Sequence, residues 1–181
     1  MRGGRSVRLM ASVRNHVWKL ALAVAVSFAI AAPAGAATVV ALGASNTYGK
    51  GVARNQAYPA QLEAVLRARG VSNVRVINAG INGDTTSNML ARLDRAVPKG
   101  TSVVVLQPGG NDGRRGQGGQ SGDNVAEIRS RLAARGVKVV MIDNGAFRGL
   151  PKQADGLHLT PEGYRMLAES VASAVASGVG R

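Results

Sequence analysis

Four short runs of apolar, largely branched residues recur along the chain: Thr38–Gly43 (TVVALG), Val74–Asn78 (VRVIN), Ser102–Gln107 (SVVVLQ) and Lys138–Asp143 (KVVMID). Short apolar runs bounded by turn residues read as buried strands. Between them the apolar positions take helical spacing. Ala57–Arg69 places Leu62, Val65 and Leu66 on one stripe and stops at Gly70. Ser87–Val97 turns Met89, Leu90 and Leu93 inward, and Asn124–Arg135 closes at Gly136. Pro161–Val175 opens with proline, favoured in a first helical turn. Strands alternating with helices imply right-handed crossovers and a parallel sheet. The predicted fold is α/β: a three-layer α/β/α sandwich with a doubly wound, flavodoxin-like parallel sheet of about four to five strands. Pro108–Gly122 holds seven glycines and reads as a mobile loop.

The N-terminal stretch breaks this pattern. Arg2, Arg5, Arg8, Arg14 and Lys19 precede an apolar run, Leu20–Ala32, that is too short to span a bilayer comfortably. Ala34-Gly35-Ala36 supplies an A-x-A cleavage pattern. Residues 1–36 are therefore expected to be a secretory signal peptide, with an uncleaved membrane anchor as the alternative. Residues 37–181 form the single expected domain, and the expected location is exported, periplasmic or extracellular. Removing residues 1–36 takes 5 of the 23 Lys+Arg and none of the 10 Asp+Glu, so the remainder carries +8. No cysteine is present, so the core must hold without disulfides. A basic surface suits an anionic envelope surface, or it is simply solvated. Export and the lack of a Lys/Arg block with interleaved aromatics argue against nucleic acid. No stable membrane span is expected after cleavage.

In doubly wound folds the chemistry gathers beyond the carboxyl ends of the strands. Polar, glycine-bearing turns follow all four strands here. The chain has two histidines, and His16 lies in the leader. An imidazole base in the mature domain must then be His158. Asp155, three residues earlier, has the spacing to reach its ring and fix the tautomer, or it is a turn residue before Gly156. Ser45 sits in the first strand-to-helix turn, where a hydroxyl can face the rim. On residue type alone a cap or turn role is favoured for it. Gly43–Lys50 fails the phosphate-loop spacing, and Thr47 stands where the G-x-S-x-G elbow needs glycine. Gly83 can bring a backbone N–H close to a substrate, and Asn111 can offer a side-chain amide.

Taken in order, ALGASNTYGKG, NAGINGDTT, LQPGGNDGRRG and DGLHLTPEGY resemble the four blocks of the SGNH (GDSL-like) hydrolases. The similarity is greatest to the bacterial thioesterase, lysophospholipase and arylesterase branch. The resemblance implies Ser45 as nucleophile, with Asp155 and His158 completing a Ser-His-Asp triad. It implies an oxyanion hole of the Ser45 backbone N–H, Gly83 and Asn111. It further implies a secreted carboxylic ester hydrolase that works through an acyl-enzyme on a small-molecule or lipid ester, with no cofactor and no metal. An O-deacetylase of envelope polysaccharide on the same site is the first alternative, and a non-catalytic binding module on a decayed scaffold the second. Two departures stand out. Ala44 replaces the aspartate usual in the first block, which predicts a less rigidly held Ser45. Only 43 residues separate Asn111 from Asp155. A fifth strand is therefore expected to be missing, with residues 143–154 leading directly to the His158 loop and leaving the pocket open. Arg114 and Arg115 are available to meet an anionic group on the substrate or to stay solvated.

Overall fold

A computed structural model describes residues 35–180. The signal-peptide reading of residues 1–36 and His16 fall almost wholly outside them. Strand β1 (Ala37–Gly43) is followed by a one-turn helix α1 (Ser45–Tyr48) and by α2 (Tyr58–Ala68). Next come β2 (Val74–Gly80), α3 (Thr86–Ala91), α4 (Leu93–Ala96) and β3 (Thr101–Gln107). The chain continues through α5 (Asn111–Arg114), α6 (Gly118–Ala134), β4 (Lys138–Met141) and α7 (Pro161–Gly178).

All pairings are parallel and the strand order is β2-β1-β3-β4. Four strands form the sheet among the described residues, as the short segment before Asp155 predicts. Side chains alternate across a strand, so each strand feeds two cores. Val39, Ala41, Val103 and Val105 pack with α2 and α7; Val40, Leu42, Val104 and Leu106 pack with α3, α4 and α6. On α7 the stripe Tyr164, Leu167, Ala168, Val171, Ala172, Val175 is buried, the spacing of one helical face. Each fully buried leucine contributes about 1.5–3 kcal/mol, so small aliphatic layers on both faces suffice without disulfides. The order in which strands are added reverses between β1 and β3, which opens a crevice at their carboxyl ends.

Four elements differ from the pattern reading. The helix predicted over 87–97 breaks at Arg92. Arg92 turns its guanidinium into the protein, donating to Asp84, Gly43 O and Ala79 O. The glycine-rich segment is not an open loop: it contains α5 and the start of α6. Tertiary anchors override the poor helix propensity of glycine there. Buried Asp112 accepts from Thr86 N and Oγ1, and Asn124 Nδ2 donates to Thr86 and Ser87. Finally, β2 extends to Gly80 and β4 stops at Met141.

Candidate active site

Ser45 is the first residue of α1, directly beyond the end of β1. The turn is tight because two strand-end glycines, paired in register, lie beneath it. A Cβ on Gly43 would stand 2.2 Å from Thr47 Oγ1, and one on Gly80 would stand 2.1 Å from the Tyr48 nitrogen. Thr47 Oγ1 donates to Gln107 Oε1 at the end of β3 (3.1 Å), and Tyr48 N and Gly49 N bond back to Ala44 O and Ser45 O. Ala44 is buried in one of the two cores. Here that position packs, and the turn is braced by Thr47 and Gln107.

His158 is buried and its Nε2 lies 2.9 Å from Ser45 Oγ. Its Nδ1 meets Asp155 Oδ2 at 2.5 Å. The other Asp155 oxygen accepts from the backbone N–H of Leu157 and of His158, both at 2.9 Å. The ring hydrogen bond, and after it those two amides, hold the Asp155 carboxyl well below the usual carboxylate range. An ionised carboxylate only accepts, so Nδ1 carries the ring proton and Nε2 is left to accept from the Ser45 hydroxyl.

The loop that presents this pair is pinned at both ends. Lys152 and Leu159 form an antiparallel bridge, and Gln153 Nε2 donates to Leu159 O and to Lys50 O. Asn46 ties the Ser45 turn to the His158 loop: its Nδ2 donates to Leu157 O (3.2 Å) and its Oδ1 accepts from Tyr164 (3.1 Å).

Gly83 and Asn111 form a second, linked group. Gly83 has φ +74°, and its carbonyl accepts from Arg115 Nη2 at 2.9 Å. Asn111 Nδ2 donates to Asp84 O (2.8 Å), and its Oδ1 accepts from Arg114 Nη1 (2.9 Å). A primary amide has two N–H groups, so one remains for a ligand. Asp84 and Arg92, both buried and 2.7 Å apart, fasten this segment to the ends of β1 and β2. A buried pair of this kind needs further hydrogen bonds to offset desolvation, and Arg92 makes them to two carbonyls.

Sequence reasoning places Ser45, His158, Asp155, Gly83 and Asn111 on one rim, and it misses their supports. Asn46, Gln107, Asp112, Arg92 and Gln153 all stand in or near the motif blocks, but as ordinary polar residues, each with at least one partner 26 or more positions away. Arg114 and Arg115 are not simply solvated, since each grips a residue of the second group.

One cleft adjoins Ser45 and His158, and a second meets that cleft at Gly109 and Asn144. The first, of about 250 Å³, lies between Asn46, Leu157 and Gly110. The other, of about 280 Å³, runs over Pro108, Val125, Met141 and Ile142 beyond the ends of β3 and β4. A larger cleft at the opposite end of the sheet, lined by Lys99, Arg135 and Lys138, holds none of these residues.

With fold and geometry combined, the comparison with known proteins is direct: the chain belongs to the GDSL-like Lipase/Acylhydrolase family, whose profile matches residues 41–154. That stretch contains Ser45, Gly83 and Asn111 and ends one residue before Asp155. The chain is 35% identical over 111 residues to Esterase TesA of Pseudomonas aeruginosa, covering 60% of this chain and 55% of that protein. It is 34% identical over 106 residues to an Arylesterase of Vibrio mimicus, covering 58% and 52%. It thus spans about half the length of the curated relatives it matches. A crystal structure of TesA superposes with a TM-score of 0.67 at 28% identity, over 76% of this chain and 97% of that one.

Proposed function

We propose that this chain is an exported serine ester hydrolase acting on small carboxylic esters through an acyl-enzyme. The observation that carries the reading is the continuous contact from Asp155 through His158 to Ser45 Oγ, 2.5 and 2.9 Å long. His158 Nε2 takes the Ser45 proton as Oγ attacks the ester carbonyl. The carbonyl oxygen becomes an oxyanion facing the Ser45 N–H, the Gly83 N–H and the remaining Asn111 amide hydrogen. Collapse breaks the bond to the alcohol, which leaves with the proton from His158. Water repeats the sequence, and the acid departs from Ser45. Every proton in this cycle moves through His158.

The names of the relatives support an ester as substrate. The cleft over Pro108, Val125, Met141 and Ile142 supports an acyl or aryl group of modest size. Ser121, Asp143 and Asn144 share that lining, so the acyl-length profile is what separates such an ester from an acetylated polysaccharide, and the Ser45–His158 contact favours a catalyst over a binding module.

The test is hydrolysis of p-nitrophenyl esters from acetyl to dodecanoyl by the full chain and by Ser45→Ala and His158→Ala. The expected result is a kcat loss of roughly 10⁴-fold or more in each variant, by analogy with other serine hydrolases. Rates unchanged in both would overturn the mechanism. A preference confined to acetyl esters would favour the deacetylase.

A further inference from the structure

The cleft beside Ser45 and His158 has a one-sided charge. Arg114 and Lys152 both line it, and no Asp or Glu does. The two cations come from separate elements and are held in place differently. Arg114 closes α5; its Nη1 is committed to Asn111, while Nη2 lies over Gly110, 3.6 Å from where a Cβ there would sit. Lys152 occupies the bridge to Leu159, so the loop that carries His158 also fixes its backbone. Its ammonium makes no hydrogen bond or ion pair among the described residues.

Neighbouring carboxylates are engaged elsewhere. Asp155 is bonded to His158, Asp112 is buried on Thr86, and Asp143 accepts from Ala146 N. Arg115, the other cation of the glycine-rich segment, is committed to Gly83 O. These carboxylates keep their charge, but none of the three lines the cleft, whose own wall carries the two cations and focuses their field.

We propose that this cleft is a subsite for an anionic group, phosphate or carboxylate, borne by the ester whose carbonyl meets Ser45. The inference rests on the ester hydrolase reading above. Arg114 supplies a planar donor and Lys152 a mobile point charge, a pairing suited to a tetrahedral or planar oxyanion. The anionic group lies away from the reacting carbonyl, so its contacts are equal in ground and transition states. They act on KM and leave kcat unchanged.

The experiment compares matched esters on the full chain. One arm sets a monoacylglycerol against the same acylglycerol 3-phosphate; the other sets an aryl butyrate against an aryl hemisuccinate. The expected result is a kcat/KM about tenfold higher for the anionic member of at least one pair, carried by KM and shrinking as NaCl is raised. Lys152→Gln removes most of that preference and leaves the neutral esters unchanged. Arg114→Gln lowers the preference too; any loss through Asn111 appears equally on both members of a pair and cancels in the ratio. The arm that shows the preference identifies phosphate or carboxylate. Equal rates within both pairs, or a preference that survives Lys152→Gln and Arg114→Gln together, overturns the subsite.

Neutral-ester hydrolysis that depends on Ser45 tests the underlying mechanism separately. If no ester is turned over, calorimetry of glycerol 3-phosphate and of succinate against glycerol on the Ser45→Ala protein decides. Binding of either anion that is lost in Lys152→Gln sustains the subsite, and no binding of either rejects it.

Discussion

Asp155 uses both carboxylate oxygens within four residues of chain: one on the His158 ring, the other on two successive backbone amides. Its role is to hold the ring, and the charge itself matters. An amide in its place can accept through its oxygen but can also present N–H to Nδ1, which would move the ring proton to Nε2. Asp155→Asn is therefore expected to lower kcat by roughly 10³–10⁴-fold with little change in KM, measured on a neutral aryl ester. The same residue sets an acid limit on stability. Its pKa is depressed in the fold, so its contribution is present above the ordinary carboxylate value. It is lost as pH falls through the folded value. Acid unfolding of Asp155→Asn should accordingly be less steep, read by circular dichroism. Arg115 works one step further out. Its bond to Gly83 O fixes the Gly83–Asp84 peptide, and so one side of the residue at φ +74° whose own N–H, in the preceding peptide, is proposed to meet the oxyanion. Arg115→Met should lower kcat about tenfold and leave KM unchanged, as expected for an interaction felt in the transition state. Arg115→Lys should recover part of the rate. A change in KM alone would mean that Arg115 binds substrate instead.

At the scale of elements, the site depends on how closely α1 lies on the strand ends. Gly80 permits this contact, since a methyl there would strike the Tyr48 nitrogen, which is backbone and cannot rotate away. Gly80→Ala is expected to destabilise by about 1–3 kcal/mol and to lower kcat as Ser45 moves from His158. Urea midpoints and ester turnover measure the two effects. Gly100→Ala, at an open position with positive φ, serves as a control for backbone strain without a clash. These dependencies explain what the chain reveals before its structure is known. The strands and α7 are legible because their apolar periodicity is a direct consequence of two buried sheet faces. The contact of Ser45, His158 and Asp155 is legible because residues 37–181 hold a single histidine and the motif order is specific. The interruption at Arg92 and the helical glycine-rich segment are not legible. Both follow from buried polar contacts, Arg92 to Gly43 O and Asp112 to Thr86, that link distant positions without any periodic signal. Ala44 shows the same limit. Its departure from the family motif suggests a loose nucleophile, yet the turn is held by Thr47 and Gln107.

At the scale of the whole molecule, one core joins the site to the global fold. Tyr58 and Tyr164 sit with Val39, Ala41, Leu62, Leu167 and Val171 in the layer between the sheet and helices α2 and α7. Tyr164 also reaches Asn46 beside Ser45. Burial pushes the Tyr164 phenol up to about 12 and the Tyr58 phenol higher still. Both folded values exceed the unfolded value near 10, so the folded state keeps protons that the unfolded chain releases. The sign follows: this contribution to stability is complete below pH 10 and is lost as pH rises through the folded values. Urea midpoints should therefore fall steeply above about pH 10. Phenolate absorbance from these two rings should appear together with loss of helical signal, not before it. Tyr58 Oη is fully buried, with the Thr47 hydroxyl as its neighbour but no hydrogen bond of normal geometry among the described residues. Tyr58→Phe removes that unpaired group at little packing loss, so stability at pH 7 should be equal or higher. The variant should also flatten the alkaline fall, while Tyr164→Phe should flatten it and slow ester turnover by freeing Asn46. An alkaline profile unaltered by Tyr58→Phe would mean that some other ionisation drives the loss.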